Sequence, residues 1–521
     1  MISENQNAAS RLKRDVFLVG LLSLIFIVLY SRLASSDYFS YDESDYMYAA
    51  KQGFAINYLD RTSIPFRQFI ELGMNQGEGS KNRASLSEFI RTSNDINIFR
   101  HFHGPAYFYY LMPISHLEAG GEFAARYASA MVLLLTAVFV FFLLQKLEGG
   151  TWASALGALL AAFLICANQA NIQTATQITP HGMYTLFSAV SLLLVCIWLK
   201  TGDAKFFYGA AASGALSLLS VEYAVLLIGV QVIALLWWTK TTKPGKRIFW
   251  RMTLYALAIY LGVVLLVWPG GILKLGLLRN YAFFGYYAIV RSWEYGSASL
   301  SQAWSARFQT ASVEIILILI AGIYLFAKAK KFSYLFPIPL YAILIIATTL
   351  RNADPSPQYY SSILPPLLAL VGIAFSEALR GFKTMPAKVV LGAALSALLI
   401  WNVSISYRSN IPELETSPDS RKALVTSVIE AQRLFDNLIV ERSLAPLLNY
   451  YDPGMKYASF SFSDGADVAT GDISEFARIV STITVICKQE NVDAILAIPG
   501  LQIVEQKNLP RNYALITVAL P

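Results

Sequence analysis

Apolar runs long enough to cross a lipid bilayer recur along this chain, with short basic clusters between them, and that alternation limits its possible folds more than any other feature. A helix crosses the hydrocarbon with about 17 to 25 apolar residues, and a shorter run crosses where the bilayer thins or the helix breaks. By that measure the sequence holds about eleven candidate spans, at about 16–33, 123–145, 151–167, 182–199, 206–220, 223–238, 252–268, 311–327, 332–350, 360–379 and 387–405. Composition agrees, because 55% hydrophobic and 14% charged residues, with a mean hydropathy of +0.49, exceed what a water-soluble core of 521 residues can bury. The expected fold is mainly α: a polytopic membrane helical bundle at 1–405, including a long outer loop at 34–122, followed by a small C-terminal extracytoplasmic α/β domain at 406–521.

The ambiguous stretch is 206–238, which reads either as one long tilted helix or as a hairpin turning at Ser220-Val221-Glu222-Tyr223. Charge separates the two. With a hairpin, Lys146, Lys200 with Lys205, the cluster from Lys240 to Arg251, the cluster Lys328, Lys330 and Lys331, and Arg380 with Lys383 all share the side of the basic N-terminus. That is the bias expected of cytoplasmic loops, whereas a single helix would reverse every later loop. The hairpin reading places 34–122, 269–310 and everything after about 406 outside. Then His101, His103, His116 and His181, all four histidines of the chain, face outward together with Glu222.

A net charge of +7 could indicate a nucleic-acid binder, but the Lys and Arg lie in short clusters between apolar runs, as orientation signals do. No nucleic acid is expected as a partner. The three cysteines, Cys166, Cys196 and Cys487, imply neither disulfide framework nor zinc site. Arg11, Lys13 and Arg14 precede the first apolar run without an A-x-A-like cleavage site after it, which reads as a retained anchor.

Between the spans, Gly104 to Pro113 is aromatic and too short to cross, as a helix lying at the membrane interface would be. Met74 to Arg83, with glycines around it, reads as a loop able to close over a ligand. In the tail, 420–434 and 472–489 have helical spacing, while Leu438 to Val440, Lys456 to Phe462, Ala494 to Ile498 and Ala514 to Leu520 read as strands. No internal repeat is visible.

Chemistry is suggested by Tyr41-Asp42-Glu43-Ser44-Asp45, an acidic triplet shortly after the first span. Carboxylates at the mouth of a membrane protein accept protons well and pack poorly. They also suit a plainer role, capping a helix that starts near Asp45. Three further stretches matter beside YDESDYMYAAKQG: His101-Phe102-His103-Gly104-Pro105-Ala106-Tyr107, Glu122 to Ala130 around Arg126, and Gln358-Tyr359-Tyr360 to Leu370. In order and spacing these resemble the motifs of the GT-C superfamily of polyprenyl-phosphate-sugar-dependent glycosyltransferases, in its protein O-mannosyltransferase and aminoarabinose-transferase-like branch. The acidic stretch is similar to DE-x-x-Y-x-x-A, the second to H-P-P-L-Y with Gly104 in place of the first proline, the third to A-R-L-P-S, and the last to R-Y-x-L-P-x-x-P-x-L-A-L with Gln358 in place of arginine. The resemblance covers about 16–405.

It implies transfer of a sugar from a polyprenyl-phosphate donor to an acceptor hydroxyl on a lipid, glycan or protein, on the outer face and with inversion. Asp42 is then the general base, with Glu43 as second choice or as its orienting partner. His103 is a candidate for the phosphate or the acceptor, or anchors the interfacial helix. Arg126, Arg279, Arg291 and Arg351 are candidates for the leaving phosphate, because a guanidinium fork binds phosphate bidentately; snorkelling to the interface is the alternative for each. His181 at the start of a span, Glu222 at the hairpin tip and Tyr359 complete the substrate-binding candidates, although a paired structural role also suits Glu222. Tyr281 to Tyr287 and Trp268 to Gly271 are candidates to line the polyprenyl groove, or form an interfacial aromatic belt. A divalent cation shared by Asp42, His103 and His181 has no supporting spacing, so neither metal nor cofactor is expected. By analogy, the short spans and outer domain indicate a cell inner membrane with a periplasmic active site and a cytoplasmic N-terminus.

Two other classes compete. A transporter or flippase fits a broken hairpin carrying an intramembrane glutamate, although inverted repeats are not visible and a long carboxylate-bearing loop is more natural in an enzyme. A scaffold or receptor would need far fewer spans.

Overall fold

The computed structural model describes residues 2–53, 103–117, 120–269, 300–349, 356–381 and 400–519, with 328 and some short stretches after 401 left aside. The described residues of 1–34, 102–110 and 126–411 form one compact unit, and those of 35–101, 111–125 and 412–521 form a second.

In the first unit the apolar runs become helices. Among the described residues, six are long and apolar enough to cross a membrane: Ser10–Leu33, Gly121–Glu148, His181–Thr201, Glu222–Thr242, Lys246–Val267 and Ser361–Gly381. Trp152–Ala167 and Gln169–Ala175, bent by 59°, make a seventh if they count as one broken span, and Val313–Phe326 and Pro337–Thr349 are shorter apolar helices. The run at 206–220 is the helix Ala204–Leu218, and most of 387–405 lies outside the described residues. The chain is a multi-pass membrane protein.

The stretch 206–238 is a hairpin. Ala204–Leu218 ends at Leu219, the backbone is extended at Val221, and a 3-10 turn at Glu222–Ala224 leads into Val225–Thr242. Gln231 Nε2 donates to the Ala210 carbonyl at 2.9 Å and to Ser191 Oγ at 2.7 Å, which ties both arms to helix His181–Thr201. In an apolar medium such buried amides and hydroxyls find partners on neighbouring helices, because water cannot serve them. Ser188 and Ser217 do the same at 2.8 Å, and Tyr184 and Tyr341 at 2.5 Å.

Backbone contact sets another crossing. A Cβ added to Gly157 would run into the Gly372 carbonyl, and one added to Gly372 into the Gly157 carbonyl. Helices Trp152–Ala167 and Leu364–Gly381 therefore touch main chain to main chain, the geometry that small residues permit in membranes. At one end of this unit Glu148 accepts from Lys331 at 3.0 Å and from Arg380 at 3.1 Å, Lys331 also pairs with Glu377 at 2.8 Å, and Lys200 Nζ donates to the Leu147 carbonyl. Lys200, Lys331 and Arg380, from three of the basic clusters, thus meet around Glu148 and Leu147.

The segment Gly104 to Pro113 is helical only in part. Its helix, Ala106–Leu111, is short, and Tyr107 and Phe108 are buried within the protein. The Ala106 N–H donates to the Leu219 carbonyl at 3.1 Å, and a side chain at 104 would collide with the Leu219 backbone. Glycine stands at 104 because two backbones meet there.

The second unit contains a five-stranded mixed sheet in the order β2-β1-β3-β5-β4: β1 Leu438–Glu441, β2 Ala458–Phe460, β3 Thr482–Lys488, β4 Gln502–Leu509 and β5 Tyr513–Ala519. β1 pairs in parallel with β2 and β3, and β5 is antiparallel to β3 and β4. Helix Arg421–Leu434 and strands β1, β2 and β5 occupy the stretches the sequence assigns to them. Two assignments are corrected. The helix expected over 472–489 is Ala466–Val480, ending at Ser481 with φ +63°, and the β-branched run after it is the buried central strand β3. The strand expected at Ala494 to Ile498 falls on a short helix, Val492–Leu496, that buries Val492 and Ile495 one turn apart. Strand β4 was not foreseen, since nearly every residue of this edge strand is exposed and no apolar face announces it.

Candidate active site

The acidic triplet forms the first turns of helix Tyr41–Gln52. Its N-cap is Ser40, so the helix starts four residues earlier than the expected start near Asp45. Glu43 completes a capping box: Ser40 N–H donates to Glu43 Oε2 at 2.8 Å. Glu43 is accordingly buried, at 4% exposure, and Asp45 at 7%, whereas Asp42 is exposed. One carboxylate of the pair holds the helix start, and the other faces outward from it.

The connector before this helix is fixed in the same unit. Asp37 accepts from the Arg421 N–H at 3.0 Å and the Lys422 N–H at 3.1 Å, so it supplements Ser420 in capping helix Arg421–Leu434. Tyr451 Oη accepts from the Phe39 N–H at 2.7 Å and donates to Glu122 Oε1 at 3.1 Å. Burial and the Glu122 carboxylate push the Tyr451 hydroxyl well above the usual tyrosine range, so it keeps the proton it donates. Neither Asp37 nor Tyr451 was singled out from the sequence: partners about 400 residues apart leave no local signal.

The first unit holds a separate polar cluster. Glu222, in the 3-10 turn at the hairpin tip, lies with its Oε2 3.0 Å from His103 Nδ1, and both side chains are buried. His181, the first residue of helix His181–Thr201, sets its ring centroid 6.0 Å from that of His103 and 5.8 Å from that of Tyr359, edge to face. Its Nδ1 is buried without a hydrogen-bond partner among the described residues. Four of the sequence candidates, His103, His181, Glu222 and Tyr359, thus come together from four separate parts of the chain. Arg126 is buried near the start of Gly121–Glu148. Arg279, Arg291 and Arg351 lie outside the described residues, as do the loop Met74 to Arg83 and the groove candidates Tyr281 to Tyr287. Among the described residues no group of three or more His, Cys, Asp or Glu could hold a metal ion.

Chemically, a paired His103 and Glu222 can hold or pass a proton, and an imidazole nitrogen without a partner can meet a polar ligand. An exposed carboxylate on a helix start can take a proton from a hydroxyl.

No protein-family model matches the sequence, and no curated protein does. Solved structures match along nearly the whole chain. ArnT from Cupriavidus metallidurans in the apo state is 15% identical, with a TM-score of 0.59 over 96% of this chain and 97% of that one. The same protein bound to undecaprenyl phosphate is 13% identical, with a TM-score of 0.60 over 96% and 98%. This chain shares the fold of ArnT. The arabinofuranosyltransferase AftD from Mycobacteria is similar in fold at 14% identity and a TM-score of 0.54, over 97% of this chain and 40% of AftD. The match to ArnT covers nearly the whole chain, so the likeness of fold extends beyond the region of about 16–405 that carries the sequence motifs.

Proposed function

We propose that this protein is a membrane glycosyltransferase that moves a sugar from a polyprenyl-phosphate donor to an acceptor hydroxyl, with inversion at the anomeric carbon. The observation that carries this reading is the full-length likeness to ArnT bound to undecaprenyl phosphate. The exposed Asp42, with Glu43 committed to the helix cap, supports the assignment of the base.

In the proposed step the acceptor oxygen gives its proton to the Asp42 carboxylate and forms a bond to the anomeric carbon. The bond from that carbon to the phosphate oxygen breaks, its electron pair leaves on the oxygen, and the polyprenyl phosphate departs. Positive charge develops on the sugar ring and negative charge on the leaving oxygen. His103, Arg126, Arg279, Arg291 and Arg351 are the side chains proposed to hold the phosphate, with His181, Glu222 and Tyr359 as further substrate contacts. The acceptor class, whether lipid, glycan or protein, is set by pocket shape. The proposed orientation puts the Glu148, Lys200, Lys331 and Arg380 end in the cytoplasm and the C-terminal domain on the opposite side.

The test is direct. Purified protein is incubated with a panel of undecaprenyl-phosphate-linked hexoses and pentoses plus candidate acceptors, and release of undecaprenyl phosphate is followed. Acceptor-dependent release that Asp42→Asn lowers by about 100-fold or more supports the reading. Full activity of Asp42→Asn removes it.

A further inference from the structure

Between the first span and the acidic helix, residues 35–40 lead the chain to Asp42, and the C-terminal domain holds Asp37, Tyr38 and Phe39 in turn. Asp37 gives one carboxylate oxygen to the Arg421 N–H at 3.0 Å and the other to the Lys422 N–H at 3.1 Å. Tyr38 stacks on Tyr451 with ring centroids 3.8 Å apart and planes within 9°, while its carbonyl accepts from Arg421 Nη1 at 3.0 Å. Phe39, buried, donates its N–H to Tyr451 Oη at 2.7 Å and sets its ring edge-on to Tyr450. Ser40 then caps the helix that carries Asp42.

Tyr451 is the hub of this arrangement. Its ring carries the stack on Tyr38, and its hydroxyl links Phe39 to Glu122. A domain that only bound an acceptor, or only covered a cavity, would have no reason to spend hydrogen bonds on this connector. Its buried amide would then lie without a partner, at a real cost in stability. Displacement of a catalytic group by about 1 Å lowers rates on the order of 100-fold, so what fixes the connector bears on catalysis.

We infer that the C-terminal domain is a positioning element of the active site, and that Tyr451, through the Phe39 amide, is the residue that sets the reach of Asp42. This rests on the reading of Asp42 as the base.

The test uses the full-length protein with the undecaprenyl-phosphate sugar that supports turnover in the wild type. Tyr451→Phe keeps the ring stack and removes the hydroxyl. It should lower kcat at least tenfold with KM for the donor unchanged within twofold, a split that general loosening of the fold would not give. In an Asp42→Glu background, where the carboxylate is already displaced, the same change should lower kcat less than threefold, because the two act on one geometry. Asp37→Asn, which preserves size and removes charge from the cap, should shift kcat in the same direction with KM unchanged, and it carries the test if Tyr451→Phe does not fold. A wild-type kcat for both variants, or an equal loss in the two Asp42 backgrounds, overturns the inference while leaving Asp42 as base. Wild-type turnover by Asp42→Asn instead removes the base assignment itself, and the inference with it.

Discussion

His103 Nδ1 and Glu222 Oε2, 119 residues apart in the chain, meet at 3.0 Å with their side chains only 6% and 5% exposed. Both groups are largely withdrawn from solvent, so each offsets part of the other's desolvation. Removing one partner of a buried pair costs about 3–5 kcal/mol, whereas replacing both with groups that still hydrogen-bond costs far less. Glu222→Ala should therefore destabilise the protein by about 3 kcal/mol, and His103→Gln with Glu222→Gln should recover most of that. Denaturant unfolding of the single and double variants in mixed micelles gives the coupling. Additive losses would mean that the two side chains do not depend on each other.

The contact of Gly157 with Gly372 makes a second, purely steric prediction. Any Cβ at either position meets a carbonyl oxygen of the facing helix, so Gly372→Ala should force the helices apart and cost about 1–3 kcal/mol. Gly262→Ala is the control, because a Cβ there meets nothing within 4 Å. Thermal inactivation of the purified variants separates them. Equal half-lives would show that the crossing has slack for a methyl group.

What the sequence revealed of this architecture, and what it hid, follows from the range of the interactions. Long apolar runs and basic clusters are local signals, and they located the described spans and the turn between Leu218 and Glu222. Pairing is non-local. Nothing near Asp37 points to Arg421, and nothing near His103 points to Glu222. Gly104 looked like a departure from a proline motif until the Leu219 backbone showed that no side chain fits there. In the tail, helical spacing ran on past Val480 because residues 482–488 are apolar with both periods. The left-handed Ser481 is what ends the helix and releases Thr482–Lys488 into the sheet.

Membrane orientation is open to a chemical test. Cys166, Cys196 and Cys487 are all buried, which makes a quiet background for labelling. In intact cells a membrane-impermeant maleimide should modify His116→Cys and Glu505→Cys, and should reach Lys243→Cys only after permeabilisation, as the proposed positive-inside arrangement requires. Labelling of Lys243→Cys alone in intact cells would invert the whole scheme, and with it the outward placement of Asp42.

The last prediction separates the two carboxylates of the acidic helix. Glu43 accepts from the Ser40 N–H and is buried, and a glutamine makes the same bond in a capping box. Glu43→Gln should therefore keep kcat within about threefold of wild type, while Glu43→Ala loses the cap and about 1 kcal/mol of stability. Asp42→Asn leaves the bond between Glu43 and the Ser40 N–H in place, yet it removes the proposed proton acceptor, and turnover should fall on the order of 100-fold to 10,000-fold with the melting temperature changed far less than in Glu43→Ala. Rates and melting curves measured on the same three preparations decide the matter. A large loss of turnover in Glu43→Gln, with Asp42→Asn near wild type, would exchange the two roles and make the capping residue the base.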